Sequence, residues 1–270
     1  MIDGYTATGN LEYLYSAQEI VDFLISQWNP STGGVIWSYK QNYVASISTT
    51  ESALAAMRLY SITQNSTLLN FAEDCMNFMF QYLQDPNDKL FYDGLDANDI
   101  TNVNTGKLTY TVGTGISALS YMYKYTQNST YLNQAISLGQ AALEDSAFID
   151  GIGMLNNKLE YVHLLFAGYA DLFNNVQWQN EFEDLKTKIL KQGNYIYNFL
   201  QDPDDSYLYY DSATGGTQKM FNDYEDVYPD NQVFTLDDSI YCNNDPNAAT
   251  IKNLMDNASA AQILYELSRI

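Results

Sequence analysis

One pattern recurs three times along the chain and limits what it can fold into. Tyr-x-x-Thr-x-Asn occurs as Tyr5/Thr8/Asn10, Tyr60/Thr63/Asn65 and Tyr123/Thr126/Asn128. Each copy runs on to a Leu and an Ala at matching spacing: Leu14/Ala17, Leu69/Ala72 and Leu132/Ala135. A period on the order of 60 residues is that of stacked helical hairpins, in an open solenoid or a closed toroid. The third copy shows the hairpin itself. Val112, Ile116, Leu119 and Tyr123 draw one helical stripe, and a polar turn spans Thr126 to Ser129. Tyr131, Leu132, Ala135, Ile136, Gly139 and Leu143 then draw a second stripe. Helices joined by so few residues are antiparallel neighbours. A fainter echo links the segment Asn77 to Pro86 with Asn194 to Pro203, about two periods apart.

Helical spacing predicts further helices over about Leu11 to Trp28, Thr49 to Ile62, Thr67 to Gln84, Leu159 to Asn174, Trp178 to Leu200 and Ala249 to Ser268. The first reads as the outer member of a pair whose inner partner is missing from the N-terminus. The last resembles an inner helix, since Ser259-Ala-Ala to Tyr265 echoes Ser52-Ala-Leu to Tyr60. The two ends can therefore complete one hairpin, which favours a ring. Residues 202–250 show no helical period and hold several turn signals, so they read as a long loop insertion. The expectation is one all-α domain over residues 1–270: a toroid of antiparallel hairpins with no extensive sheet.

The connections are asymmetric. Inner-to-outer turns are short, near 63–66, 126–129 and 174–177, whereas the outer-to-inner connections 29–47, 85–107, 145–158 and 202–250 are long. In a ring of hairpins every long loop then lies at one end, beside the exposed N–H groups of the inner helices. Function is expected there.

Composition narrows the partners. Asp and Glu outnumber Lys and Arg 33 to 12, for a net charge of −21, a field that repels nucleic acid and anionic membranes. That acidity serves solubility, or suits an acidic or saline exterior. Tyrosine is abundant at 24 residues, and sequons occur at Asn65, Asn128 and Asn257, a mix common in extracellular, glycan-facing proteins. No apolar run is long enough for a transmembrane helix, and the first residues are neither basic nor apolar as in a signal peptide. Cys75 and Cys242 can pair, but Cys75 sits on an apolar stripe with Leu68, Ala72 and Met79 and reads as a buried free thiol.

The order of motifs resembles the α/α-toroid glycosidases, most closely glycoside hydrolase family 76, the endo-α-1,6-mannanases. Trp28 followed by Gly33-Gly34-Val35-Ile36-Trp37 resembles the family's W…GGGIxW segment. Ser52 to Thr63 is similar to its next inner helix, and Tyr92-Asp93-Gly94 to its DG segment. Thr109-Tyr110-Thr111-Val112-Gly113 resembles TYNxG with Thr111 for Asn, and Phe166-Ala167-Gly168 resembles FKG with Ala167 for Lys. The resemblance implies an (α/α)6-like barrel, on about four and a half hairpins here given the period. It also implies an adjacent Asp-Asp catalytic pair upstream of the Trp-Gly-Gly loop. On this reading the chain begins after that pair, so the catalytic helix is either cut away or never existed here.

A glycosidase needs two carboxyl groups roughly 5–10 Å apart. The catalytic candidates are Asp93, in the second long loop beside Phe91 and Tyr92, and Asp237-Asp238, late in the last. Asp204-Asp205 reads as turn chemistry. Trp37, Tyr39, Tyr92 and Tyr110 are candidate substrate-binding residues, since aromatic rings stack on the C–H faces of sugars. His163, the single histidine, has no cluster of metal-ligand residues around it in sequence. Neither Gly151-x-Gly153 nor Gly215-Gly216 has the flanks of a phosphate loop. Calcium on Asp93, Asp96 and Asp99 lacks EF-hand spacing, and no cofactor is expected. The function implied is an extracellular or cell-surface protein hydrolysing α-mannan, with a neutral polysaccharide or glycan as partner. The alternative is a non-catalytic glycan-binding or structural surface protein on the same fold.

Overall fold

The computed structural model describes residues 1–144, 147–149, 154–155, 157–177, 180–202, 205–209, 215–229 and 235–270. It divides into two compact units, Met1–Leu138 and Gly139–Ile270.

The first unit holds helices α1 (Ile2–Thr8), α2 (Leu11–Ser26), α3 (Ser46–Thr63), α4 (Ser66–Phe78) and α5 (Thr109–Thr126), and the start of α6 (Ser129–Glu144). The repeated Thr-x-Asn is the turn between paired helices. The Thr8, Thr63 and Thr126 hydroxyls donate to the carbonyls four residues back, Gly4, Leu59 and Met122, at 2.6, 3.1 and 2.7 Å. Each hydroxyl also accepts from the N–H of the following Asn. The Asn10, Asn65 and Asn128 side chains then accept from the N–H groups of Glu12, Thr67 and Thr130 at 2.9, 3.1 and 3.0 Å, capping the next helix. The residue between turns left-handed: Gly9, Gln64 and Gln127 have φ of 69°, 55° and 57°. One three-residue code thus ends one helix and starts the next, three times.

This explains a correction. The inner partner of α2 is not missing; α1 stands in its place and packs on α2. Its seven residues include Gly4, and a Cβ there would come within 3.2 Å of the Tyr13 ring. So short a segment carries no stripe of its own, although the repeat already marked its end. Arg58 on α3 pairs with Asp3 on α1.

α3 packs on both α4 and α5. α3 and α5 bury many small residues and hydroxyls, as inner helices require; Thr50 and Thr114 bond across them at 2.6 Å. α4 runs into a π-helical turn, Met79–Leu83. The thiol of Cys75, on α4, is buried and free, and burial raises its pKa well above the usual thiol value. Cys242 is free too.

The two long loops of this unit share a three-stranded antiparallel sheet. β1 (Tyr43–Ala45) pairs with β2 (Gly94–Asp96), and β2 with β3 (Asp99–Asn104), in the order β1-β2-β3. Leu95 faces Val44 on one side and Val103 on the other. Gly34 lets the first loop close over this sheet. Its φ is 76°, and a Cβ would lie 2.3 Å from Val44 and 2.6 Å from Phe78. Both inner helices begin where these loops end, so the long-loop side of the unit is the N-terminal side of α3 and α5.

The second unit holds α7 (Leu159–Asn175), α8 (Glu181–Phe199), α9 (Gln218–Val227) and α10 (Leu254–Leu267), with α10 packed on α7 and α8. Gly193 of α8 admits the Leu267 side chain, which would lie 2.5 Å from a Cβ. The expectation of no helix within 202–250 is corrected by α9. It buries only Met220 and Tyr224, one turn apart, and two residues are too few to show a period. Its cap was legible: the Thr217 hydroxyl accepts from the N–H of Met220 at 3.2 Å. Short strands pair within the same stretch, β4 (Gln201–Asp202) with β5 (Asp205–Tyr209) and β6 (Gly215–Gly216) with β7 (Thr235–Leu236). Gly151, Gly153, Trp178 and Asp204 lie outside the described residues.

Candidate functional site

In the first unit a cavity of about 510 Å³ opens between the second half of α2 and the first half of α3. Phe23 and Leu24 come from α2, Gln27 from its C-terminal cap, and Ser48, Glu51, Ser52 and Ala55 from one face of α3. The first long loop supplies Val35 to Tyr39. That loop is pinned from both sides. The N–H of Val35 donates to the Thr49 hydroxyl at 3.0 Å, that of Ile36 to the carbonyl of Gln27 at 3.2 Å, and that of Trp37 to the carbonyl of Tyr43 at 2.9 Å. Trp37 and Tyr39 therefore stand out from a fixed base, 55% and 86% exposed. Exposed aromatic rings over a polar floor are the arrangement that stacks on sugar C–H faces.

The polar floor was not found from the sequence. Glu51 keeps atoms open to solvent, yet surrounding protein crowds its carboxyl and raises its pKa by desolvation. Ser52 is fully buried, and among the described residues its hydroxyl has no partner. A helix serine usually bonds the carbonyl four residues back; leaving a buried hydroxyl unmade costs roughly 1–3 kcal/mol. The signal available was a lone charge in the small-residue run Ser48 to Ala56, which reads most simply as a solvated helix face.

Asp93 immediately precedes strand β2 of the adjoining sheet. Its carboxylate accepts from the Tyr43 hydroxyl at 2.6 Å and from the Asn104 amide at 2.8 Å. Its backbone carbonyl accepts from the N–H of Ser46, the first residue of α3, at 2.9 Å. Burial, then the bond to Asp93, pushes the Tyr43 hydroxyl well above its usual pKa. Tyr92 stacks under the Lys107 ammonium, 5.5 Å from the ring centre. Lys107 reaches Asp85 at 2.8 Å and also Asp88. Tyr110 stands half-buried in the first turn of α5. The structure thus places Trp37, Tyr39, Tyr92, Asp93 and Tyr110 in loops and helix starts of one unit; of these, only Trp37 and Tyr39 line the cavity.

Asp237 and Asp238 belong to the second unit. Asp237 caps the short 3-10 helix Asp238–Ile240, accepting from the N–H and hydroxyl of Ser239 at 2.9 and 2.6 Å. Asp238 is exposed. Asp93, Asp96 and Asp99 do not converge: Asp96 accepts from the N–H of Asn98, and Asp99 from Thr101. Among the described residues no three His, Cys, Asp or Glu side chains are placed to share a metal ion. His163 is half-buried with Nδ1 3.3 Å from the Ser259 hydroxyl, and burial lowers its pKa. No described helix is long and apolar enough to cross a membrane.

The family model of glycosyl hydrolase family 76 matches residues 2–163, more than half of the chain. The chain belongs to that family. This family 76 chain is 30% identical over 132 residues to the mannan endo-1,6-α-mannosidase DCW1 of Eremothecium gossypii, covering 44% of itself and 29% of that protein. It is 27% identical over 140 residues to the enzyme of that name from Candida albicans, covering 48% and 31%. It therefore spans about a third of the length of these curated relatives. Among solved structures, the α-1,6-mannanase of Salegentibacter sp. matches with a TM-score of 0.78 at 19% identity, over 99% of this chain and 72% of that one. An inactive variant of that mannanase, with two neighbouring aspartates replaced, is solved with α-1,6-mannotetrose bound. A family 76 α-mannanase of Bacteroides thetaiotaomicron matches with a TM-score of 0.73 at 22% identity, over 99% and 66%. At these identities the likeness shows the fold, which is of the α/α-toroid class, as the complementary chain ends and the family resemblance implied.

Proposed function

We propose that this family 76 chain acts on α-1,6-linked mannan, outside the cell or at its surface, and takes the glycan on the long-loop side of its first unit. The observation that carries the reading is the pair of exposed rings, Trp37 and Tyr39, fixed over a cavity that also bears a carboxyl group. Tyr92, Asp93 and Tyr110 extend the same side, at the starts of α3 and α5. A net charge of −21 disfavours polyanions and leaves a neutral glycan as the fitting ligand.

Hydrolysis is the first form of this reading, with Asp93, Asp237 and Asp238 as the aspartates proposed for it. A second form, glycan binding without turnover, is favoured by one observation. The carboxylate of Asp93 is engaged by Tyr43 and Asn104, and that of Asp237 by Ser239. General acid–base help is worth roughly 10²–10⁴ in rate, so the two forms separate cleanly. The test is reducing-end release from α-1,6-mannan, run beside mannan affinity electrophoresis. Turnover lost in Asp93→Asn or Asp237→Asn establishes hydrolysis. Retardation by mannan without turnover establishes binding alone. Neither turnover nor retardation removes the proposal.

A further inference from the structure

We propose that Glu51 and Ser52 are the hydroxyl-reading floor of a hexopyranose subsite, with Trp37 and Tyr39 as its aromatic wall. This rests on the reading that the chain binds α-1,6-linked mannose; it adds which side chains fix the sugar and what each does.

Four observations meet in one cavity. Its volume, about 510 Å³, falls in the range of roughly 300–1,000 Å³ that small-ligand pockets occupy. Its wall is aromatic and exposed at Trp37 and Tyr39, which suits the C–H face of a pyranose. Its floor is polar: Glu51 offers a carboxyl, and Ser52 a buried hydroxyl that no described protein group satisfies. An incoming sugar hydroxyl can both donate and accept, so it supplies the bond that Ser52 lacks and the donor that the Glu51 carboxylate seeks.

The same features exclude other ligand classes. A hydrocarbon would leave Ser52 unpaired and desolvate Glu51 further. An anion would meet the Glu51 carboxyl within a strongly acidic chain. A neutral polyol with one apolar face satisfies wall and floor together. Glu51 and Ser52 are adjacent on α3, so both answer to one ring of the glycan. Ser48 and Ala55, one turn away on either side, leave room for it.

The test is calorimetric titration of the whole chain with α-1,6-mannotriose, for wild type, Ser52→Ala, Glu51→Gln and Tyr15→Ala. Tyr15 is exposed on α2 and does not line the cavity, so its variant binds as wild type does. Ser52→Ala weakens binding roughly threefold to tenfold, as loss of one net hydrogen bond does. It does so with an unchanged or raised Tm, because it removes a hydroxyl that nothing in the free protein satisfies. That opposition separates a ligand contact from a merely structural role. Glu51→Gln weakens binding by a similar or larger factor, since a charged acceptor makes the stronger bond. Wild-type binding that is unchanged in both variants overturns this assignment alone. A lower Tm in Ser52→Ala overturns it too, since the hydroxyl then has a partner in the free fold. Absence of wild-type binding overturns both this assignment and the reading beneath it.

Discussion

The loop after α4 and the loop after α8 begin and end alike. Each opens with Gln-Asp-Pro, at Gln84 and at Gln201, and each closes with a lysine two residues before a long helix, Lys107 before α5 at Thr109 and Lys252 before α10 at Leu254. In both, that lysine pairs with the opening aspartate, Lys107 with Asp85 and Lys252 with Asp202. The aspartates are largely buried, with side chains 10% and 3% exposed. Between the clamps the loops differ. The first pairs with its neighbour into a sheet; the second carries a helix and two small strand pairs. The difference teaches that one ion pair at the base fixes where a loop starts and ends, while its interior stays free to vary. Closure entropy rises only slowly with length, so a longer insertion adds little cost once its ends are tied.

The largest expected effect tests whether the clamps are equivalent. Lys252→Ala leaves Asp202 buried without its cation and lowers unfolding free energy by about 3 kcal/mol, read by urea denaturation. Lys107→Ala shifts the midpoint in the same direction, with Asp85 keeping the Asn87 N–H and amide, each at 2.9 Å. A loss below about 1 kcal/mol in Lys252→Ala would put that pair with ordinary surface bridges and end the comparison.

The repeated turns give the next effect. Asn65→Ala and Asn128→Ala each remove a helix cap of the same geometry and each cost about 1 kcal/mol. Unequal losses would show that the two copies share sequence without sharing energetics.

Why the hairpins were legible and the rest was not follows from range. Thr63-x-Asn65 and its copies act within five residues, and the stripes of α4 and α5 within a few turns, so sequence alone carries them. The sheet joins Val44 to Leu95 through strands of three residues, and no local period reports that pairing. α9 was hidden by having only Met220 and Tyr224 to show. The aromatic wall of the cavity was legible because Trp37 and Tyr39 sit in a loop, where exposure is the default. Glu51 and Ser52 were not, because a helix face becomes a cavity floor only when another helix leaves it uncovered.

The smallest effect concerns acid. Lys107 first, then the Asn87 N–H, hold Asp85 well below the usual carboxylate range. A depressed folded pKa gives stability that is present above the unfolded value and is lost only as pH falls through the folded one. The first clamp therefore survives mild acid, and near-UV circular dichroism from Tyr92 and its neighbours stays constant from neutral pH to about pH 4, the ordinary carboxylate pKa. Glu51 has the opposite sign. Its pKa is raised by desolvation, so its contribution is present below the unfolded value and is lost as pH rises through the folded one. Glu51→Gln accordingly gains a small Tm advantage over wild type as pH rises, and a constant difference would show that the carboxyl is fully solvated.

The central claim is that α-1,6-linked mannose is taken on the long-loop side of the first unit. Hydrogen exchange with and without saturating α-1,6-mannotetrose tests it residue by residue. The account predicts added protection over 35–55 and around 92–110. Protection confined to 202–250, or no protection anywhere, would contradict it.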